Sequence, residues 1–229
     1  LYTRAGTPPT AGTFVAGPDS PPLGVGSLQL TTATGNEKVF LFNYDHVGTQ
    51  LSAIDAISYS TYRTAGSLQQ VTSLNIQIDE NGGTFVPGDF STLVFEPVYN
   101  TSQGAVVNGA WQDWDAFGDG IWWSTQPING VCAFSCYVSW DIIVANNPNA
   151  TILGGFGVNQ GSGNGGLIAS VDALTLGVGG DTTVYDFEPY EVASNADDCK
   201  NGGWMSLKRA DGSSFKNQGD CIQYVNTGK

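Results

Sequence analysis

The chain has 229 residues, enough for one large β domain, or one domain with a small appendage, and for a sizeable buried core. Eight basic residues against twenty-one acidic ones, a net charge of −13, argue against nucleic acid as a partner, because its phosphates need neutralising. Apolar residues make up 41% and charged residues only 13%, so the chain is no disordered acidic tail, and its surface must be built largely from Ser, Thr, Asn, Gln and Gly. No apolar run approaches the roughly 20 residues of a membrane helix, so membrane insertion is not expected.

In chain order, "LYTRAGTPPTAGTF" is rich in Thr, Pro and Gly and predicts an extended N-terminal segment over 1–13. Short alternating runs broken by turn residues then predict strands at 26–32, 38–45, 53–63, 73–80, 91–99, 109–117, 120–125, 150–160, 170–178 and 182–189. Phe40, Phe42 and Tyr44 share one strand face. Leu74, Ile76 and Ile78 share another, with Asn75, Gln77 and Asp79 opposite. Period-two patterning with one wet face implies antiparallel sheets. One short helix is predicted after Ser139, with Trp140, Ile143 and Val144 on a stripe and Pro148 beyond its end. The expected fold is an all-β, two-sheet antiparallel jelly-roll sandwich over 14–190.

The last 39 residues, 191–229, differ. They hold five basic and five acidic residues, against three and sixteen in 1–190. Lys200, Lys208, Arg209, Lys216 and Lys229 are most of the chain's cations, and Trp204 lies among them. The four cysteines form two local pairs, Cys132 with Cys136 and Cys199 with Cys221. Zinc would need more than the single histidine, His46, so disulfides are the better reading and imply a secreted, extracellular protein. The tail is therefore expected to be a small disulfide-stapled appendage.

"GPDSPPLGVGSLQL" near the start, and "ASVDALTLG" followed by "TTVYDFEP" late in the chain, resemble the first and last strands of jelly-roll domains in secreted bacterial proteins. Those domains resemble carbohydrate-binding modules. The resemblance covers 14–190 in outline and implies that the early Gly-Ser-aliphatic strand lies near the late "VDALTLG" strand. The tail resembles a C-terminal motif of secreted bacterial proteins and brings no activity with it.

Candidate chemistry concentrates in "WQDWDAFGDGIWW", residues 111–123. A core hairpin turning at "GDG" explains it, because aromatic side chains dominate cores. As a carbohydrate site, Trp114, Trp122 and Trp123 would be stacking platforms, with Asp113 and Asp115 accepting hydroxyl hydrogen bonds. As a metal site, Asp113, Asp115 and Asp119 would hold calcium through hard oxygen ligands, and Asp79 with Asp89 in a second turn would do the same. Hairpin turns explain both acidic stretches without an ion. Glu96 and Glu188 each precede a proline at a strand end and could face one another as glycosidase carboxylates, but polar strand ends stopped by proline are the simpler account. No nucleophile elbow accompanies His46. The glycine-rich stretch 154–166 lacks a phosphate-loop ending and reads as a loop between strands that could line a ligand groove. Asn100 and Asn149 begin glycosylation sequons.

Three functions follow. The first is a non-enzymatic cell-surface or matrix protein that assembles with copies of itself into filaments or adhesive layers, with the N-terminal segment adding to a neighbour's sheet. The second is a carbohydrate-binding module whose partner is a polysaccharide. The third, a glycoside hydrolase-like enzyme, has the least support.

Overall fold

A computed structural model describes residues 1–66, 69–210 and 212–228. Lys229, one of the tail cations, lies outside them. The chain divides into two compact units, Leu1–Phe187 and Glu188–Lys229. The first contains β1 (Tyr2–Thr3), β2 (Gly12–Ala16), β3 (Gly26–Thr32), β4 (Lys38–Asn43), β5 (Ile54–Ala65), β6 (Ser73–Asp79) and β7 (Phe90–Phe95). It continues with β8 (Trp111–Asp115), β9 (Ile121–Ser124), β10 (Val138–Ser139), helix α1 (Trp140–Asn146), β11 (Thr151–Gly161), β12 (Leu167–Val178) and β13 (Asp181–Tyr185). The second unit contains β14 (Glu191–Val192), β15 (Leu207–Lys208) and helix α2 (Gln218–Thr227).

The first unit is an antiparallel sandwich. One sheet runs β1-β4-β11-β6-β7-β9-β10 and the other β2-β3-β12-β5-β8, with β13 also paired to β12. The early and late strands meet: β3 pairs with β12, Leu28 opposite Val171. Alternation sorts each strand. Leu74, Ile76 and Ile78 of β6, Leu93 and Phe95 of β7, and Phe156 and Val158 of β11 are fully buried between the sheets. The polar residues between them therefore lie on the outer face of the first sheet.

All ten predicted strands are present. Three features differ from expectation. The N-terminal segment pairs within its own sandwich, Tyr2 opposite Phe40 and Gly12 opposite Leu30. The stretch 111–123 is not a hairpin. β8 pairs with β5 in one sheet and β9 with β7 and β10 in the other, so 116–120 is a corner that carries the chain between sheets. The glycine-rich stretch is mostly strand, because β11 extends to Gly161 and the turn occupies only the residues before β12. Within β11 the register against β6 shifts between Ile152 and Phe156, and Gln77 Oε1 accepts the freed Gly155 N–H at 2.8 Å.

Helix α1 starts after Ser139 as expected, although the serine side chain makes no capping bond. The second unit has a helix where none was expected. Asn217 caps α2 by accepting the Asp220 N–H at 2.9 Å, and Gly228 ends it in the left-handed region. The Cys199–Cys221 disulfide lies in a small core with Ala193, Leu207 and Phe215. Cys132–Cys136 also forms, with Cα atoms 5.2 Å apart.

Candidate functional site

The outer face of the seven-stranded sheet carries a transverse row in register. Phe42 lies opposite Gly157, Gly157 opposite Asn75, Asn75 opposite Val94, and Val94 opposite Trp123. A parallel row begins with Phe40, Asn159 and Ser73. Aromatic side chains thus stand at both ends of a low floor. Five strands at about 4.8 Å spacing make the rows about 19 Å long. Gly157 is needed here, since a Cβ at this position would run into the Leu41 carbonyl of the neighbouring strand.

Over part of this floor lies a groove of about 400 Å³, a volume usual for ligand sites. Its walls include Ser73, Asn75, Glu96, Trp123, Phe134 and Asn159. Asn75 and Asn159 are buried despite facing outward. Ser73 Oγ lies 3.0 Å from Asn75 Oδ1 and 3.2 Å from Asn159 Nδ2, which holds both amides in place. Asn159 Oδ1 has no hydrogen-bond partner among the described residues.

At one end, Trp123 is half-buried and donates its indole N–H to Glu96 Oε2 at 2.9 Å. Burial pushes the Glu96 carboxyl above its ordinary value, and the Trp123 bond offsets this only in part. Phe134 lies beside the indole with ring centroids 5.4 Å apart and is 64% exposed. The short loop closed by Cys132–Cys136 presents it. Phe134 adopts φ +62° at the loop's middle, and its N–H donates to Ser124 O at 3.1 Å. A ring held outward by a disulfide loop was not singled out from the sequence. Its signal was a phenylalanine between two cysteines four apart.

The sequence-predicted residues divide. Trp123 lies in the groove. Trp114 and Trp122 do not, and neither can be a sugar platform. Both are in the core, where Trp114 donates to Thr61 Oγ1 at 2.8 Å and Trp122 to the Ala116 carbonyl at 2.7 Å. Asp113 and Asp115 lie on β8, in the other sheet, and so do not flank Trp123. Asp113 accepts from Ser60 Oγ at 2.6 Å, and Asp115 accepts the N–H groups of Phe117 and Gly118.

Asp79 is buried and accepts from the N–H groups of Asn81 and Gly82, while Asp89 ends a turn whose carbonyl accepts the Glu80 N–H. Among the described residues, no three acidic, histidine or cysteine side chains gather as a cation site, so the carboxylates of Asp113, Asp115 and Asp119 are not brought together as one. The carboxylates of Asp79 and Asp115 organise turns, and that of Asp113 bonds across a strand pair.

Glu96 is the one carboxylate among the described residues lining the groove, and Glu188 belongs to the second unit. The two-carboxylate arrangement of glycosidases is not assembled in the groove. His46 is elsewhere, its Nε2 at 2.7 Å from the Tyr185 hydroxyl. Asn100 is 1% exposed, with its side chain bonded to the backbone of Glu96 and Ile121, so this sequon is closed to a glycan.

The groove offers an aromatic pair for apolar contact and fixed amides for hydrogen bonds. No protein-family model matches the chain, and comparison with curated proteins and with solved structures finds no match.

Proposed function

We propose that the first unit is a carbohydrate-binding β-sandwich of the extracellular space, and that the outer groove of its seven-stranded sheet is the binding surface. One observation carries this reading. The Trp123–Phe134 aromatic pair stands at the end of a groove floored by buried amides. Aromatic faces give contact area with little entropy to lose, and fixed amides select hydroxyl positions. The two disulfides fit an oxidising compartment. Among the described residues, no helix is long and apolar enough to cross a membrane. Self-association through the N-terminal segment is the weaker reading, because β1 and β2 already have partners in their own sheets.

Affinity electrophoresis through gels containing glucan, xylan, mannan, chitin derivative or polyuronate tests the proposal. The chain is expected to be retarded in at least one gel. Trp123→Ala and Phe134→Ala should migrate as in a blank gel while keeping a cooperative thermal transition. Equal mobility of the unmodified chain in every gel would overturn the reading.

A further inference from the structure

We infer that the glycan is an anionic one, with an acidic sugar held at the end of the groove opposite Trp123 by Lys38 and Arg4. This rests on the carbohydrate reading above and deepens it. Residues 1–187 contain three basic side chains, Arg4, Lys38 and Arg63, against fifteen acidic ones. Arg63 is fully buried and bonded to Asn108 and to the carbonyls of Gln70 and Val106. The unit's two remaining side-chain cations are neighbours. The Arg4 N–H donates to the Lys38 carbonyl at 2.9 Å, and β1 pairs with β4 beside them.

Neither cation has a counter-charge. The ion pairs among the described residues lie in the second unit, and the Arg4 guanidinium reaches only the Asn36 carbonyl, at 3.4 Å. Lys38 is half-buried and lines the groove. Burial, and then the charge of Arg4, both hold its ammonium below the ordinary lysine value. Lys38 is partly desolvated beside the exposed like charge of Arg4, with the Phe40 ring 5.8 Å from its ammonium but no anion, and an anionic ligand would offset that cost. The carboxylate next in sequence, Glu37, accepts the Ala33 and Thr34 N–H groups and makes an ion pair with neither cation.

A second observation concerns the hydroxyls of that sugar. Asn159 on the adjacent strand also lines the groove, is 8% exposed and has an unpartnered Oδ1. That oxygen only accepts, so it fits a hydroxyl of the same sugar and not its anionic group, which is itself an acceptor. The opposing charge, Glu96, follows β7, three strand spacings from β4 in the sheet order. That is about 14 Å, beyond the screening length of about 8 Å at physiological salt. An acidic ring at Lys38 and a neutral ring on Trp123 can therefore occupy one groove. The anion is a uronate carboxylate or a sulfate ester, which share the same recognition by an ammonium and a guanidinium.

The test is calorimetric titration of the full chain with three oligosaccharides of equal length: neutral, uronate-containing and sulfated. One anionic series is expected to bind about tenfold tighter than the neutral one and to weaken with added salt; which series does so identifies the anion. Lys38→Gln and Arg4→Gln should each reduce anionic binding toward the neutral level and weaken its dependence on salt. Neutral binding equal to or tighter than anionic binding, or anionic binding indifferent to Lys38→Gln, overturns this inference and leaves the carbohydrate reading standing. If none of the three binds in a Trp123-dependent way, both fall.

Discussion

Trp123 donates its indole N–H to a carboxyl oxygen of Glu96 at 2.9 Å, joining an aromatic face to a half-buried acid at one end of the groove. Burial raises the Glu96 pKa more than this bond lowers it. The folded chain therefore holds the Glu96 proton more tightly than the unfolded chain does. This contribution is most favourable to folding below the ordinary glutamate value. It declines as pH rises from that value to the raised one and is level above it. Glu96→Gln keeps an oxygen to accept from Trp123 and cannot ionise. The variant should gain thermal stability relative to the parent as pH rises from about 4 to 7. Melting curves across that range check it, and a difference that shrinks with pH contradicts it.

Adjacent tryptophans should behave oppositely. Trp122 is fully buried among Phe95 and Trp140, while Trp123 faces the groove. Trp122→Ala is expected to cost about 3–5 kcal/mol in urea unfolding, because a large cavity opens in the core. Trp123→Ala loses the Phe134 ring contact and the hydrogen bond to Glu96, each worth about 1 kcal/mol. Its effect should appear in glycan binding instead. Comparable destabilisation by both substitutions would place Trp123 in the core.

Alternation made the strands legible. Leu74, Ile76 and Ile78 against Asn75, Gln77 and Asp79 marked β6 and showed which face would be wet. What alternation cannot give is sheet membership. Two strands adjacent in sequence on either side of "GDG" read as a hairpin, yet a corner at 116–120 sends them to different sheets. This error put Asp113 and Asp115 beside the wrong tryptophan. Strand β2 was hidden because its "GTFVA" follows a run of Pro and Thr. Helix α2 was hidden because Gly219 weakens its first turn and its apolar stripe is short. Asn159, Asn75 and Trp123 are 36 and more residues apart in the chain, and cross-strand register alone makes them neighbours.

Arg63 supplies a third test. Its Nε donates to Asn108 Oδ1 at 2.5 Å, and its terminal nitrogens donate to the Gln70 and Val106 carbonyls at 3.2 and 3.5 Å. The planar fork ties β5 to two loops, one of which brings Gln70 to the groove wall. Arg63→Lys keeps the charge and loses the fork, leaving buried acceptors unmet. The expected cost is about 2–3 kcal/mol by urea unfolding. A change within error would mean that the loops hold their positions without it.

The two disulfides should separate function from stability. Cys199–Cys221 closes a span of 22 residues in a unit with a small core, and a crosslink of that length stabilises by roughly 3 kcal/mol. Replacing both cysteines by serine should expose 191–228 to limited proteolysis. Cys132–Cys136 spans only four residues and constrains little of the unfolded chain, so its contribution to stability is small. Its loop does hold Phe134 against Trp123. The Cys132→Ser, Cys136→Ser double variant is therefore expected to melt within a few degrees of the parent and to bind glycan severalfold more weakly, because Phe134 must be ordered at the moment of binding. Undiminished affinity in that variant would show that Trp123 alone makes the platform.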